Sequence, residues 1–212
     1  LVASGVMQFA DAVRLVERRG QLMQSAVKPG KGAMAAVLGL DDEIIEAICR
    51  EAAEGQIVSA ANYNSPGQLV IAGEANAVER AMHQAKAAGA RRAVILPVSV
   101  PSHCALMRPA AEGLNEMLDA IELCAPEIPV LQNVNVTASA DPDTIRKALS
   151  AQLYSPVRWT DTVRSMANQG IQRIAECGPG RVLSGLGRRI NRDLEWLALE
   201  DIETFERALA VQ

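Results

Sequence analysis

The order of strand-like and helix-like segments constrains the fold of this chain more than any other feature of its sequence. Between residues 32 and 100 the hydrophobic pattern predicts strand, helix, strand, strand, helix and strand, with the turn SPGQ between the two middle strands. This order is typical of the split βαβ, or ferredoxin-like, unit, which is compact on its own. We therefore expect a small subdomain over residues 32–100.

The segments on either side of residues 32–100 predict a second, larger unit. QFADAVRLVERRGQLMQS, residues 8–25, has the periodicity of an amphipathic helix. The residues at helical spacing are Phe9, Ala12, Val13, Val16, Gly20 and Met23. After residue 100, helices alternate with strands, which is typical of a parallel sheet covered on both faces. The predicted strands are PEIPVLQNVNV, IQRIAECGP and LEWLALE, and the predicted helices are 103–123, DPDTIRKALSAQLYS, WTDTVRSMANQG, GRVLSGLGRRIN and DIETFERALAVQ. The chain is thus predicted to be an α/β protein in which residues 1–31 and 101–212 form the core and residues 32–100 form an insert.

Composition argues against several classes of function. A net charge of −4 and an aromatic content of 3% are not those of a nucleic-acid-binding protein, which neutralises phosphates and often stacks bases. We find no apolar run long enough to span a membrane and no signal peptide. Four scattered cysteines without a C-x-x-C pair, and two histidines, argue against a zinc site and favour reduced thiols in a cytoplasmic protein.

His103 is the first candidate for chemistry. It lies in SVPSHCALM, directly after the strand-like run RRAVILPVSV, and ligands of α/β proteins gather at the carboxyl ends of strands. An imidazole in that position is suited to proton transfer, although position alone leaves open a histidine without a function. The other histidine, His83, points away from the apolar face of its predicted helix, so we expect it to be solvated.

Arg19 is the second candidate, because its direction falls inside the apolar arc of the first helix while Arg18 lies outside it. A guanidinium keeps its proton, so a buried one needs an anionic or strongly accepting partner. That partner is either a carboxylate of the protein or a carboxylate of the substrate held by two charge-assisted hydrogen bonds. The sequence does not decide between the two.

The chain has no recognisable nucleophile to go with His103. No two of its glycines stand four residues apart, so the G-x-S-x-G nucleophile elbow is missing. Ser102 and Cys104 adjoin His103, but neighbouring side chains do not easily reach one another. We expect Ser102 to cap the helix that follows.

Taken together, six blocks of the sequence resemble one family from end to end. The blocks are VERRGQLMQ, GAMAAVLGL, NYNSPGQLVIAG, PVSVPSHCALM, AQLYSPVRW and ECGPGRVLSGL, and they resemble the malonyl-CoA:acyl-carrier-protein transacylases of bacterial fatty-acid synthesis. The resemblance implies an α/β-hydrolase-like core. In that family the elbow G-H-S-L-G-E-Y-S-A directly precedes a segment like LVASG, so the resemblance also implies a catalytic serine upstream of residue 1 and an incomplete core that is inactive alone.

The resemblance implies roles for particular residues. His103 matches the catalytic base, and Gln152 the residue whose main-chain carbonyl orients it. Arg19 matches the arginine that binds the malonyl carboxylate. Further matches are to pocket-lining positions (Met23, Asn62, Val98), to contacts of the CoA phosphates (Arg91, Arg92), and to a basic patch for acyl carrier protein that is equally compatible with a solvated helix face (Arg181, Arg188, Arg189, Arg192).

The function implied by the resemblance is transfer of a malonyl group from malonyl-CoA to the pantetheine thiol of acyl carrier protein, through a malonyl-serine intermediate. No metal or other cofactor is expected, and the expected partners are malonyl-CoA and acyl carrier protein. Two alternatives stay open: an acyltransferase domain of a polyketide or multifunctional fatty-acid synthase, and a non-catalytic module that binds acyl carrier protein.

Overall fold

The structure is a computed structural model that describes residues 1–210, and it is built from helices and two small sheets. The helices are α1 (Phe9–Ala26), α2 (Asp42–Ala53), α3 (Ala75–Ala87), α4 (Arg108–Ala120), α5 (Pro142–Ala151), α6 (Trp159–Asn168), α7 (Val182–Ile190) and α8 (Ile202–Leu209), with a 3-10 turn at Ala105–Met107. The strands are β1 (Gly32–Leu38), β2 (Val58–Ser65), β3 (Gln68–Glu74), β4 (Arg92–Ile95), β5 (Arg173–Cys177) and β6 (Glu195–Leu199). None of the helices within residues 1–210 combines the length and the apolar character needed to cross a lipid bilayer.

The first sheet contains β1 to β4 in the order β2-β3-β1-β4, and every neighbouring pair is antiparallel. Ala35 in the central strand β1 lies opposite Ile71 of β3 and Ile95 of β4. Helices α2 and α3 bury Ile45 and Val78 in one apolar cluster with residues from all four strands. The predicted order of elements over residues 32–100 is therefore confirmed.

The remaining elements form two further packed groups. Helices α1, α4 and α5 share a core that includes Leu15, Met107, Leu114 and Ile145. Leu22 of α1 lies so close to Gly113 of α4 that a larger residue there would collide with it. Strands β5 and β6 pair in parallel, as predicted, and Trp196 of β6 packs on α6 and α7.

Two predicted strands differ from the structure. PEIPVLQNVNV forms a loop with one isolated antiparallel bridge, between Leu131 and Ala138. Its two prolines, Pro126 and Pro129, lack the N–H groups that a sheet ladder requires. The parallel sheet within residues 1–210 thus has two strands where three were predicted. The strand predicted at RRAVILPVSV is limited to β4 and ends two residues before Pro97.

The buried face of the first helix and the end of the last helix also differ from the predictions. Of the apolar residues predicted to share one face of α1, Met23 is buried but Phe9, Val13 and Val16 are exposed, because α1 packs on α4 and the 3-10 turn through Leu15 and Met23. The last helix ends at Leu209. The predicted continuation through residues 211–212 lies outside the described residues.

Candidate active site

His103 lies in the turn between β4 and the 3-10 helix, with an unusual backbone conformation. Its φ is +63°, in the left-handed region where few residues other than glycine occur, although histidine is more frequent there than most. The N–H of His103 donates a hydrogen bond to the carbonyl oxygen of Leu153, at 3.0 Å. This bond helps to hold the left-handed turn in place against its cost of roughly 1–3 kcal/mol.

The ring of His103 is held by the neighbouring carbonyl group. Its Nδ1 lies 2.7 Å from the main-chain oxygen of Gln152, just beyond the last residue of α5. A carbonyl oxygen can only accept a hydrogen bond, so Nδ1 carries the proton and donates it. In the neutral ring, Nε2 then keeps its lone pair and can take up a proton, which is the arrangement of a general base.

The protonation of His103 is set by opposing influences. Burial lowers the pKa of the half-buried imidazole, the carbonyl of Gln152 raises it, the positive charge of Arg19 lowers it, and a backbone hydrogen bond with Ser155 raises it. The net effect is a pKa below the usual 6.5. His103 is therefore neutral, and able to accept a proton, near pH 7. His83 is exposed, as predicted.

Arg19 is half-buried on α1, which packs against α4 and the 3-10 turn that follows His103, and the positive charge of Arg19 lowers the pKa of the imidazole. Burial lowers the pKa of this guanidinium. Within residues 1–210 it makes no ion pair and no hydrogen bond with another side chain or carbonyl. Of the two partners that the sequence left open, a protein carboxylate is thus not found in the described part of the chain. Arg18, one residue earlier, is exposed, as predicted.

The three predicted pocket-lining residues occupy different environments. Met23 is 7% exposed and belongs to the core between α1 and α4. Asn62 is half-buried on β2 and forms an isolated parallel bridge with Val157, a few residues after Gln152. Val98 follows β4 and is 48% exposed. The structure therefore brings His103, Gln152 and Arg19 together, and leaves the pocket roles of the other three as predictions.

The neighbours of His103 in the sequence are poorly placed to be nucleophiles. Cys104 is buried, its thiol donates to the carbonyl oxygen of Pro101 at 3.2 Å, and burial raises the pKa of the thiol to about 11. The prediction that Ser102 caps the next helix was wrong: the 3-10 turn begins after Cys104 and has no side-chain cap. The left-handed turn at His103 delays the helix by two residues.

Four arginines from distant parts of the chain line one cleft of about 570 Å³. Arg91 and Arg92 come from the start of β4, and Arg189 and Arg192 from the end of α7 and the loop after it. Uncharged residues complete the lining, and Gln68 accepts a hydrogen bond from Arg189 at 2.9 Å. We call these four residues the arginine cleft. Such a cleft is suited to binding phosphate or carboxylate groups.

The predicted basic patch on α7 is divided in the structure. Arg189 and Arg192 line the arginine cleft, whereas Arg181 and Arg188 line a different cleft between α7 and α8. Arg181 forms an ion pair with Glu200, and Arg188 donates to the carbonyl oxygen of Trp196. No group of three or more His, Cys, Asp or Glu side chains within the described residues could hold a metal ion.

Two groups that hold this site together were not identified in the sequence. The carbonyl of Leu153 is a backbone group and leaves no signal in the residue type. Gln132, whose side chain binds that of Gln152, lies in the segment mistaken for a strand. The burial of a glutamine in a loop becomes visible only once the loop is folded.

Comparison with known proteins shows that this chain is similar to acyltransferases. Residues 1–193 match the model of the acyl transferase domain family. The malonyl CoA-acyl carrier protein transacylase of Escherichia coli (strain K12) is 56% identical over 209 residues, which are 99% of this chain and 68% of that protein. The enzyme of the same name from Bacillus subtilis (strain 168) is 45% identical over 99% of this chain and 66% of its own length. The chain therefore spans about two thirds of the length of these relatives.

Solved structures give the same result. An acyl carrier protein S-malonyltransferase from Vibrio cholerae superimposes with a TM-score of 0.97 at 54% identity, over 98% of this chain and 68% of that one. A malonyl-transacylase solved in complex with a type II PKS acyl-carrier protein superimposes with a TM-score of 0.98 at 53% identity, over 100% of this chain and 69% of that one.

Proposed function

Because the chain belongs to the acyl transferase domain family, we propose that it supplies the general base and the carboxylate-binding arginine of a malonyl-CoA:acyl-carrier-protein transacylase of fatty-acid synthesis. One observation carries this proposal. The guanidinium of Arg19 has no protein counter-charge within the described residues, and its charge acts on the imidazole of His103. The Nδ1 proton of that imidazole is fixed by the carbonyl of Gln152. A diacid thioester fits this pair, because its free carboxylate neutralises the arginine while its thioester lies at the base.

The reaction proceeds in two half-reactions with the same base. Nε2 of His103 removes the proton of a serine hydroxyl as its oxygen attacks the malonyl thioester, and the C–S bond breaks as CoA leaves and regains that proton. The pantetheine thiol of acyl carrier protein then loses its proton to Nε2 and attacks the malonyl-serine ester, and the serine leaves with the proton. We propose that the serine belongs to the part of the relatives' length that this chain does not span.

Arg19 selects the acyl group. With malonyl bound, two charge-assisted hydrogen bonds replace the water lost by the guanidinium and the carboxylate. With acetyl bound, the half-buried cation keeps no counter-charge, so the site discriminates against uncharged acyl groups. Because acyl transfer between thioesters changes no oxidation state, we propose that these residues need no metal or other cofactor.

The arginine cleft extends this proposal to the partner molecules. CoA carries phosphates and acyl carrier proteins are acidic, so a cleft lined by Arg91, Arg92, Arg189 and Arg192 suits both in spite of the net negative charge of the chain. The solved complex of a 53% identical malonyl-transacylase with an acyl-carrier protein supports the same class of partner. We propose a cytoplasmic location, which the four free thiols support.

We also propose that the fold consists of a ferredoxin-like subdomain and part of an α/β-hydrolase-like core. The strand order β2-β3-β1-β4, with α2 and α3 as its crossing helices, supports a ferredoxin-like subdomain over residues 32–100. The parallel pair β5–β6, packed on α6 and α7, supports part of an α/β-hydrolase-like core built from residues 1–31 and 101–212.

One pair of variants tests the proposed function. In the active enzyme, by which we mean the protein that also contains the catalytic serine, His103→Asn should lower the rate of malonyl transfer by at least about 1,000-fold. Asparagine tolerates a left-handed backbone, so the turn should survive the loss of the base. His83→Asn is the matched control and should leave the rate unchanged. Full activity of His103→Asn would overturn the proposal.

A second candidate function differs only in the carrier protein that receives the malonyl group. The 53% identical relative was solved in complex with a type II PKS acyl-carrier protein, so malonyl transfer to a polyketide carrier is an alternative with the same chemistry. Rates measured with a fatty-acid carrier and with a polyketide carrier, at equal concentrations, distinguish the two.

A further inference from the structure

We propose that Gln132 is a positioning residue for His103, and that it acts through the side chain of Gln152. This inference rests on the proposed function, because it assumes that the orientation of the imidazole matters for proton transfer. Within residues 1–210, no hydrogen bond joins Gln132 to the imidazole directly. Its effect passes along a chain of two hydrogen bonds, from Gln132 to Gln152 and from Gln152 to His103.

The first bond joins two glutamine side chains. Nε2 of Gln152 donates to Oε1 of Gln132 at 3.0 Å, and Gln132 is only 4% exposed. The backbone of Gln132 is itself fixed, since its N–H donates to the carbonyl of Thr137 at 3.0 Å and its carbonyl accepts from the N–H of Val136 at 2.8 Å. The acceptor for Gln152 is therefore carried by a rigid turn.

The second bond depends on the orientation of one peptide group. Gln152 follows the last residue of α5, so its N–H still binds the carbonyl of Ala148, but its own carbonyl has no helical partner. That carbonyl binds Nδ1 of His103, and the next one, of Leu153, binds the N–H of His103. A shift of the chain at residues 152–153 therefore moves both the ring and its backbone.

The rest of this segment is held from the other side. Val157 exchanges hydrogen bonds with β2, through Ala61 at 2.8 Å and Tyr63 at 2.9 Å, and the N–H of Arg158 donates to the carbonyl of Asn133 at 3.0 Å. The turn that contains Gln132 thus holds the segment at both ends, by a side chain at Gln152 and by a carbonyl at Arg158. Of these two contacts, the one from Gln132 is next to the residue that binds the ring.

The sign of the expected pH effect follows from the groups that face the imidazole. Arg19 faces it from α1, and the backbone of Gln152 and Ser155 faces it from the segment after α5. The Gln152 carbonyl favours the protonated ring, whereas Arg19 and burial disfavour it. If Gln152 is released, the carbonyl no longer offsets Arg19, and the pKa of His103 falls further.

The test combines a double-mutant cycle with a titration. Gln132→Met and Gln152→Met, alone and together, are compared for kcat/KM in the active enzyme and for the titration of His103 by NMR. The signal of His103 is assigned by its absence from the spectrum of His103→Asn. We expect each single variant to lose about tenfold in kcat/KM and to move the titration of His103 to lower pH, while the double variant does no worse than either single one. Gln132→Glu retains an acceptor and adds a negative charge that favours the protonated ring, so it should not lower the pKa of His103.

Several outcomes would contradict the inference. Losses that multiply in the double variant, or a His103 titration that stays in place, would mean that Gln132 has at most a structural role. If Gln132→Met does not fold, Gln152→Met carries the same prediction, because it removes the same side-chain bond and leaves Gln132 in its turn. Gln169→Met, which removes an exposed glutamine bonded to Ser165, is the matched control and should change neither quantity. An active His103→Asn would instead contradict the proposed function.

Discussion

Replacing Arg19 with methionine should convert the selective enzyme into one that hardly distinguishes malonyl from acetyl groups. Methionine keeps much of the length and apolar surface of the arginine stem, so the packing of α1 on α4 should be maintained. The substitution removes the charge and both donors that the malonyl carboxylate would use. The same charge acts on His103, so a second change should accompany the first.

The size of the effect follows from the burial of Arg19. A hydrogen bond to a charged group contributes about 1.5–3 kcal/mol, and breaking a buried ion pair costs about 3–5 kcal/mol. Because Arg19 is half-buried, water screens part of the interaction, and we expect a loss of about 2–4 kcal/mol. At about 1.36 kcal/mol per tenfold, malonyl transfer should fall roughly 30- to 900-fold in kcat/KM.

The assay compares kcat/KM for malonyl-CoA and acetyl-CoA with the unmodified enzyme, Arg19→Met and Arg18→Met. Arg18 is the adjacent, exposed arginine of the same helix, so its replacement controls for net charge and helix propensity. We expect Arg19→Met to lower the malonyl rate while the acetyl rate holds or rises, and Arg18→Met to change neither by more than about twofold. An equal fall for both substrates would refute the reasoning, because it would show that Arg19 supports the fold and not the choice of substrate.

The pH profile gives a second, independent readout. Arg19 lowers the pKa of His103, so its removal should raise that pKa. A general base works in its neutral form, so a higher pKa moves the acid limb of kcat/KM to higher pH. An acid limb that stays in place in Arg19→Met would mean that the two side chains do not interact in the enzyme.

The remaining predictions concern stability and thiol reactivity. Gly187→Ala should lower the free energy of unfolding by about 1–3 kcal/mol, because the new Cβ would overlap the ring of Trp196. Gly185→Ala on the same helix, where an added Cβ meets nothing within 4 Å among the described residues, should be neutral or stabilising by up to about 1 kcal/mol in the same thermal melt. With iodoacetamide, mass spectrometry should find rapid modification of the two exposed thiols and slow modification of the two buried ones, Cys124 and Cys177 against Cys49 and Cys104.

Local pattern was enough to predict most helices and strands, and one feature of the site. The direction of Arg19 on α1 follows from helical periodicity, which needs only the sequence near it, and its half-buried position agrees with that prediction. Asp141 is the first residue of the predicted helix DPDTIRKALSAQLYS, and in the structure its carboxylate accepts a hydrogen bond from the N–H of Thr144 at 2.9 Å, at the start of α5. The periodicity of α1 was less informative about Phe9 and Val16, because it does not say which apolar side a neighbouring helix will cover.

The contacts between distant parts of the chain could not be predicted from local pattern. The ring of His103 is bound by residue 152, 49 positions away, and the resemblance to a known family suggested that contact. Gln132 was hidden in a segment that has the β-branched composition of a strand but in which prolines prevent pairing. The arginine cleft joins residues about 100 positions apart, and the packing of α7 on β2, with the bond from Arg189 to Gln68, brings them together.

The group that orients His103 is a peptide carbonyl, and this affects how the site tolerates mutation. Where the carboxylate of a side chain orients a histidine, a single amino-acid substitution removes that carboxylate. Every amino acid brings the same backbone oxygen to position 152, so no exchange of side chain can remove that acceptor, and only a displacement of the chain can weaken it. Variation at position 152 should therefore weaken the enzyme by degrees, while an inserted or deleted residue near the end of α5 should abolish its activity.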